Sequence, residues 1–322
     1  MRVCITGGFG FIGANLVRRL LEEGHEVTVI DNLSTGDVRF IESKNSKKIT
    51  TFQVDLSETQ PTDLAKILRK CETVFHLAAN ADVRGGWDST YLDIKQNVIA
   101  THNLALACRI AEVNEVVFAS TGCVYGDSAN TPTTETEPFP IQTSLYGASK
   151  IAAEGILSAF AANGAFKVTV LRFVSVLGRF YHHGHVIDFV RQLRAFPSRL
   201  KILGNGKQKK SFISVHDCVE ALVNLRGDSS FEIFNIGQTD FWEIGKSAET
   251  IAHTLNLTPK FIFGSDIRGW IGDSPITFLD INKALKHGWK PQVSIEDSII
   301  ETTDWIISNP WVLELDKYRT QS

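Results

Sequence analysis

The stretch Gly7-Gly8-Phe9-Gly10-Phe11-Ile12-Gly13 decides the fold of this chain. It follows the short apolar run RVCIT and precedes FIGANLVRRLLEEG, whose apolar residues recur at helical spacing up to Gly24. Glycines at 7, 10 and 13 permit a tight turn, a close approach of the backbone to a pyrophosphate, and close packing of the helix on the strand. A strand, a glycine turn and a helix in this order predict a dinucleotide-binding unit with the phosphates at the helix N-terminus.

The rest of the first half alternates between strand and helix patterns. The apolar runs predicted as strands are EVTVI, ITTFQVD, TVFHLAA, EVVFAS and FKVTVLRF. They are separated by helical patterns, including a long amphipathic helix from about Tyr91 to Ala111 and another at 144–164. This alternation predicts an α/β fold with a Rossmann-type, doubly wound parallel sheet. Beyond about residue 175 the elements shorten, which predicts a smaller α/β substrate-binding C-terminal domain. We expect the tail at 316–322 to be frayed.

Composition excludes several classes of function. The chain has 322 residues, of which 43% are hydrophobic and 21% charged, with a net charge of −3. No basic stripe exists for nucleic acid, and no apolar run approaches the roughly 20 residues of a membrane span. The N-terminus opens directly into a strand, so we expect no signal peptide. Five scattered cysteines without a CxxC pair favour a reducing, cytoplasmic location.

Asp31 indicates which dinucleotide is bound. It ends the second predicted strand, 18 residues after Gly13. A carboxylate there can accept hydrogen bonds from an adenosine ribose and would repel a 2′-phosphate, so NAD is favoured over NADP. The alternative is an Asp that merely caps a helix or a turn.

Tyr146 and Lys150 form a YxxxK pattern on a predicted helix, where residues four apart share a face. An ammonium beside a phenol, helped by the positive charge of an oxidised nicotinamide, lowers the pKa of the tyrosine. Such a tyrosine can act as a general base. YxxxK alone is more often an exposed helical pair, and it is the glycine loop together with the Thr121 segment that favours the catalytic interpretation.

These motifs together resemble one enzyme family. The glycine loop, DNLSTG at 31–36, HLAA at 76–79, Asn97, VYG at 124–126 and YGASK at 146–150 resemble the extended short-chain dehydrogenases/reductases. The chain is most similar to the nucleotide-sugar 4-epimerases of the UDP-glucose/UDP-galactose type. The resemblance implies an NAD-binding domain at 1–174 with about 212–236, and a nucleotide-sugar-binding domain at 175–211 and 237–322. It also implies cofactor contacts from Gly7, Gly10, Phe11, Ile12, Gly13, Asp31, Asn32, Ser34, Thr35, Gly36, Asp55, Leu56, Leu77, Ala78, Ala79, Asn97, Tyr146 and Lys150.

Thr121 is implied as the third catalytic residue beside Tyr146 and Lys150. In the family, a Ser or Thr four residues before the VYG tyrosine bonds the sugar O4. Dehydratases of the family carry Asp-Glu at the next two positions, and decarboxylating members commonly carry Glu at the second. Here these positions are Gly122 and Cys123, which cannot supply the acid. The resemblance therefore implies oxidation at C4 and reduction back, which is C4 epimerisation of a UDP-hexose with tightly held NAD.

The resemblance also implies substrate contacts in the second half of the chain. An arginine suits phosphate geometry, and a lysine acts there as a point charge. One difference concerns Ser175, because relatives usually have an Asn that touches the nucleotide at that position. With Thr121 from the first half, the implied substrate contacts are Ser175, His185, Val186, Lys210, Phe212, Arg268 and Asp273. Arg84, also in the first half, is a candidate substrate contact, and pairing at the surface is the open alternative.

Several alternatives remain open at this point. The substrate could be UDP-glucuronate or UDP-N-acetylglucosamine, and an NADP-linked reductase is disfavoured by Asp31. A non-catalytic dinucleotide-binding sensor is disfavoured because Thr121, Tyr146 and Lys150 are all present. His182, His183 and His185 invite a metal, but the chemistry needs none, and we predict no metal site. The resemblance also implies a homodimer that packs helices near 91–111 and 146–162.

Overall fold

A computed structural model of the chain describes residues 1–41, 48–83, 89–128, 130–138, 141–270 and 272–315. Its strands, in chain order, are β1 (Arg2–Thr6), β2 (Glu26–Asp31), β3 (Ile49–Gln53), β4 (Thr73–His76), β5 (Glu115–Thr121), β6 (Lys167–Phe173), β7 (Ser175–Leu177), β8 (Arg199–Ile202), β9 (Lys209–Lys210), β10 (Phe212–Ser214), β11 (Phe231–Ile236), β12 (Trp242–Glu243), β13 (Lys260–Phe263) and β14 (Ile276–Thr277). Its α-helices are α1 (Phe11–Glu22), α2 (Pro61–Leu68), α3 (Thr90–Asp93), α4 (Ala100–Ile110), α5 (Leu145–Ala162), α6 (His185–Ala195), α7 (Val215–Asn224), α8 (Ile244–Thr254), α9 (Asn282–Lys286) and α10 (Ile295–Ser308).

A seven-stranded parallel sheet lies at the centre, in the order β11-β6-β5-β4-β1-β2-β3. Its inner strands are apolar runs because helices cover both faces. Val3 and Ile5 face a core that includes α1, whereas Cys4 faces a second core built with α2, α4 and α5. The predicted doubly wound α/β fold is confirmed.

The order of the strands places a crevice beside β1. From β1 the chain proceeds outward to β2 and β3, and then returns to β4, which pairs with the other edge of β1. In such a sheet, ligands bind outside the carboxyl ends of the strands where the order reverses. The glycine loop and the segment after β4 both begin at this point.

The second half builds shorter elements and adds β11 to the central sheet beside β6. Three small sheets complete it: β10-β7, β12-β9-β14 and β13-β8. The domain boundaries remain a prediction, and the tail at 316–322 lies outside the described residues. Among the residues that are described, no helix is both long and apolar enough to cross a membrane.

The predicted helix from Tyr91 to Ala111 is not continuous. The structure has α3, then a π-helical turn at Ile94–Ile99, then α4. The buried side chain of Asn97 lies in this turn and accepts a hydrogen bond from the Asn80 N–H at 2.8 Å. A π turn inserts one residue relative to an α-helix and often occurs at functional sites. Apolar spacing alone does not reveal it.

We predict that Gly13→Ala lowers the free energy of unfolding by about 3 kcal/mol, because overpacking of a tight contact strains the backbone. A Cβ at Gly13 would lie 2.1 Å from the Gly7 carbonyl oxygen. Gly155 on α5 provides the control, because a Cβ there meets no atom within 4 Å. Gly155→Ala should add about 0.5–1 kcal/mol of helix stability. Urea unfolding of both variants measures the difference, and equal stabilities would contradict the packing described here.

Candidate active site

The glycine loop forms a cradle at the carboxyl end of β1. Gly7 has a φ of +70°, and a Cβ there would lie 2.7 Å from the Ala78 nitrogen. The Gly10 N–H donates to the Gly7 carbonyl at 3.0 Å, and the N-cap residue of α1, Gly10, offers no side chain to its first turn. The backbone N–H groups of that turn are therefore suited to an anion such as a pyrophosphate. Phe11 is buried and Ile12 half-buried behind the loop.

Asp31 joins this loop to the turn after β2. Its two carboxylate oxygens accept the N–H groups of Phe9 at 2.9 Å and Leu33 at 2.8 Å. Each carboxylate oxygen can accept a second hydrogen bond, so these contacts are compatible with a ribose hydroxyl. The turn lies close above the loop, since a Cβ at Gly36 would come within 3.0 Å of Phe9. The same turn contains Asn32, Ser34 and Thr35.

Asp55 is held beside this turn by several donors. Its carboxylate accepts from Asn32 Nδ2 at 3.0 Å, Gln96 Nε2 at 3.0 Å and Ser57 Oγ at 2.6 Å. Burial acts to raise the pKa of Asp55, but the hydrogen bonds from Ser57, Asn32 and Gln96 prevail and lower it to about 2. Leu56 beside it is buried. These residues lie at the predicted adenine end of the cradle.

The end of β4 forms the opposite wall. His76 is buried, with Nδ1 at 2.8 Å from Thr6 Oγ1 and Nε2 at 2.9 Å from Thr101 Oγ1. Burial, and then the charge of Lys150, lower the pKa of His76 to about 3, so its ring is neutral. Leu77, Ala78 and Ala79 follow, and the Ala78 N–H donates to Thr6 Oγ1 at 3.2 Å.

The three predicted catalytic residues converge at the carboxyl end of β5. Lys150 is only 2% exposed, and its ammonium lies 4.0 Å from the centroid of the Phe118 ring. The Thr121 hydroxyl accepts the Cys123 N–H at 3.1 Å and also forms a hydrogen bond that acts to lower the pKa of Tyr146.

The expected lowering of the Tyr146 pKa by Lys150 is not found in the chain itself. Burial raises the pKa of Tyr146, and electrostatic interactions with Cys123 and Asp93 act in the same direction, against a hydrogen bond with Thr121. Burial also lowers the pKa of Lys150 to about 7, against the opposing effect of Glu154. The lysine therefore loses its charge well before the phenol can ionise. A lowered tyrosine pKa requires a further positive charge at the site.

The sequence did not reveal the polar groups that hold Asn97 in place. The Asn97 amide donates to Ser149 Oγ at 2.8 Å and to Asp93 Oδ1 at 3.3 Å. Asp93 Oδ1 also accepts from Asn80 Nδ2 at 2.8 Å. Asp93 lies four residues before Asn97, a spacing that could have drawn attention to it.

A second missed group lies beneath Lys150. Glu154 pairs with Arg172 through two hydrogen bonds, of 2.6 and 3.1 Å, and accepts Ser120 Oγ at 2.5 Å. Arg172 also donates to the Tyr125 hydroxyl at 2.7 Å. Glu154 and Arg172 are both buried, and Glu154 follows Lys150 by one helical turn. The sequence signal was therefore the longer spacing YxxxKxxxE.

The predicted phosphate contacts cluster near Cys123. Lys210 Nζ lies 2.8 Å from Asp273 Oδ1. The charge of Lys210 acts to lower the pKa of the Cys123 thiol, and that of Asp273 acts to raise it. Arg268 donates to the Asp273 carbonyl and pairs with Asp127 at 2.7 Å. Lys210, Arg268 and Asp273 thus lie close together, and their contact with a substrate stays a prediction. The two cations are already paired with carboxylates of the same chain.

The other predicted substrate residues are placed differently. Val186 and Phe212 are buried in the hydrophobic core, and contact of their side chains with a substrate stays a prediction. All three residues of β10 are buried, and the centroid of the Phe212 ring lies 5.0 Å from that of His185. Ser175 is exposed at the start of β7, and His185 Nε2 lies 2.8 Å from Ser247 Oγ. Arg84 lies outside the described residues.

The histidine run is engaged in packing. His182 is buried, with Nδ1 at 2.8 Å from the Phe180 carbonyl and its ring centroid 5.3 Å from that of Phe40. His183 stacks on Tyr181. Across the parts of the chain that the structure describes, no three His, Cys, Asp or Glu side chains are arranged to hold a metal ion.

We predict that Asp55→Asn lowers the free energy of unfolding at pH 7 by about 1–2 kcal/mol, because one pKa unit corresponds to about 1.4 kcal/mol and solvent screens part of it. The folded pKa is about 2 against an ordinary 3.8, so this stability is present above the ordinary value. It is lost as the pH falls from about 4 towards 2. Denaturant unfolding at pH 7, 4 and 3 should therefore show a shrinking difference from the wild type. Asp63→Asn, at an exposed pair with Lys66, should show almost none, and a constant difference for Asp55→Asn would refute the linkage.

Comparison with known proteins gives one consistent result. The model of the NAD dependent epimerase/dehydratase family matches residues 3–237. A UDP-glucose 4-epimerase of Mycolicibacterium smegmatis is 31% identical over 316 residues, which are 95% of this chain and 98% of that protein. The crystal structure of a UDP-galactose 4-epimerase superposes with a TM-score of 0.86 at 33% identity, covering 97% of this chain and 100% of the other. The UDP-glucose 4-epimerase of Thermus thermophilus, in complex with NAD, gives a TM-score of 0.82 at 29% identity, covering 95% and 99%.

Other relatives act on related sugars. They include proteins named UDP-glucuronate 4-epimerase, UDP-N-acetylglucosamine 4-epimerase and dTDP-D-glucose 4,6-dehydratase. The cradle described here fits a dinucleotide, since a Cβ at Gly7 or Gly13 would collide with backbone at the place where the phosphates approach. The expected cofactor, NAD, is the one after which the family is named. The chain belongs to the NAD-dependent epimerase/dehydratase family of nucleotide-sugar enzymes.

Proposed function

We propose that the chain catalyses C4 epimerisation of a UDP-hexose, of the UDP-glucose/UDP-galactose type. The observation that carries the proposal is the site at the end of β5, where Thr121, Tyr146 and Lys150 converge beside Gly122 and Cys123. The site has a hydroxyl and a phenol to handle the O4 proton, but the two residues after Thr121 offer no carboxylate. Proton transfer at O4 with hydride transfer at C4 is the chemistry that such a set supports.

Each residue has a distinct part in this proposal. NAD, when bound, would supply a hydride acceptor at sugar C4 and the donor for its return to the opposite face. Tyr146 removes the O4 proton as the hydride leaves, and gives it back when the hydride returns. Thr121 orients O4 toward the phenol. Lys150, held against Phe118, favours phenolate while it is protonated, and the oxidised nicotinamide of bound NAD would supply the further positive charge that the phenol requires. Asn97 fixes the first turn of α5 through Ser149.

Cys123 supports epimerisation over dehydration. Burial raises the pKa of its thiol, so it stays protonated and is a poor base. Removal of water from C5 and C6 needs an acid and a base on this side of the sugar. With none supplied by Gly122 or Cys123, the 4-keto sugar has only the return of hydride open to it.

UDP-glucuronate is a second candidate substrate, and the position of Lys210 favours it. The charge of this lysine acts to lower the pKa of the Cys123 thiol. Because Cys123 follows Thr121 by two residues, Lys210 is a cation near the catalytic threonine. It pairs with Asp273, which reduces its attraction for a sugar carboxylate. For that reason we place the neutral hexose first, with Lys210 and Arg268 serving the diphosphate.

The test is proton NMR of the protein with NAD and, separately, UDP-glucose, UDP-N-acetylglucosamine and UDP-glucuronate. Inversion at C4 changes the coupling between H3 and H4, so the signal identifies both the reaction and the sugar. Tyr146→Phe should reduce the rate at least about 10³-fold while NAD binding persists, since general base catalysis contributes about 10²–10⁴. Tyr91→Phe, at an exposed tyrosine, is the matched control and should keep the wild-type rate. A stable keto or dehydrated product would refute the proposal.

We further propose that the protein is a homodimer. Tyr91, Leu92, Ile94 and Ile110 are large apolar side chains exposed along the segment from α3 to α4. Exposed apolar groups concentrated on one segment are typical of a contact surface. Light scattering after size exclusion should give twice the chain mass, and Ile94→Glu should shift it toward the monomer. A monomeric wild type would contradict this proposal.

A further inference from the structure

A cavity of about 230 Å³ opens between α1 and the 3₁₀ helix Pro310–Glu314. Its charged lining residues are three arginines, namely Arg18 on α1, Arg39 in the 3₁₀ helix Val38–Ile41, and Arg179 shortly after β7. Among the described residues that line it, none belongs to the cofactor cradle or to the predicted substrate contacts. Side chains of like charge repel each other, so the convergence of three cations at one cavity requires an explanation.

Aromatic rings hold the three guanidinium groups in place. Arg39 Cζ lies 3.9 Å from the centroid of the Trp311 ring. Arg179 Cζ lies 4.8 Å, and Arg18 Cζ 5.9 Å, from the centroid of the Phe180 ring. Phe180 is buried in the hydrophobic core, and Trp311 packs against that core. A guanidinium that contacts a ring through its face keeps the N–H donors at its edge available to a ligand.

Two of the three arginines have no carboxylate partner in the described part of the chain. Arg39 donates two side-chain hydrogen bonds to Asp37, of 2.9 and 2.6 Å. Within the same ranges, the side chains of Arg18 and Arg179 form neither an ion pair nor a hydrogen bond. Partial burial, and then the charge of Arg18, lower the pKa of Arg179. Two positive charges at the cavity are therefore not neutralised by a carboxylate in contact with them.

Carboxylates outside the cavity act on these arginines only at longer range. Glu22 and Glu301 oppose the lowering of the Arg179 pKa, and Glu314 adds to the effect of Asp37, which raises the pKa of Arg39. None of these four acids is among the described residues that line the cavity. The described wall thus supplies cations and no anion.

We propose that this cavity is a binding site for a phosphate group, held by Arg18 and Arg179 and bordered by Arg39. The planar fork of a guanidinium matches the oxygens of a phosphate. Two cations that lack a carboxylate partner suit a phosphate, which carries a charge of about −1.5 to −2 at pH 7. The cavity is smaller than the roughly 300–1,000 Å³ of pockets for drug-sized ligands, which favours inorganic phosphate or a small phosphate monoester over a dinucleotide. The site lies outside the proposed epimerase chemistry and does not rest on it.

Calorimetric titration of the NAD-loaded protein with inorganic phosphate and, separately, glycerol 3-phosphate tests the site, with the ionic strength held constant by chloride. We expect saturable binding of at least one of them, with a Kd on the order of 1 mM. Arg18→Gln and Arg179→Gln should each raise that Kd at least about tenfold, because each removes charge-assisted hydrogen bonds. Arg199→Gln is the matched control and should leave it unchanged. The Arg199 guanidinium also lies over an aromatic ring, 4.7 Å from the Phe196 centroid, but outside the cavity.

The two ligands distinguish the sources of the phosphate group. Tighter binding of glycerol 3-phosphate would identify an organic monoester as the ligand, and equal or weaker binding would identify the phosphate ion. No saturable binding of either, or a wild-type Kd in both Arg18→Gln and Arg179→Gln, would overturn the proposal. Failure of both variants to give a wild-type circular dichroism spectrum would assign the two arginines to the fold and would also contradict it. The titration involves no turnover, so its result is independent of whether the protein inverts C4.

Discussion

Burial of the Lys150 ammonium is the constraint on which the catalytic half of the structure depends. Burial lowers its pKa to about 7 even with the opposing effect of Glu154, so the surroundings decide how much charge it carries. The face of Phe118 and the carboxylate of Glu154 favour the charged form. His76 stays neutral beside it, which avoids a second positive charge. Helix α5, strand β5 and strand β4 each contribute one of these groups, so the charge of Lys150 depends on how the three elements pack.

The buried polar contacts around Lys150 continue from Glu154 to further buried side chains. Arg172 neutralises Glu154 and reaches the Tyr125 hydroxyl, which donates to Asn235 on β11 at 2.7 Å. A series of buried hydrogen bonds thus joins α5 to β11, the strand that the second half of the chain adds to the central sheet. Buried polar groups that are fully paired specify one arrangement of their elements. In this way the fold that holds the cofactor also fixes the register of the catalytic helix.

The spacing of residues along the sequence predicted those features whose geometry depends on a few neighbouring residues. The glycine loop, Asp31 and the Tyr146–Lys150 pair were each found because turn geometry and helical periodicity restrict residues close in the chain. Asp93 and Glu154 were missed because their roles depend on partners from other elements, such as Asn80 and Arg172. The spacing of the apolar residues does not predict the π turn. Phe212 is predicted to contact the substrate from its place in the chain, whereas its burial depends on packing against residues of other elements.

In the proposed reaction, the sugar is oxidised and then reduced at C4 within one active site. The most direct measurement follows deuterium in UDP-glucose labelled at C4, incubated with the NAD-loaded protein in ordinary water. The account predicts that UDP-galactose forms with the deuterium still at C4, because the hydride leaves and returns without exchange. Loss of deuterium to the solvent, or its appearance in free reduced cofactor with a 4-keto product, would contradict it.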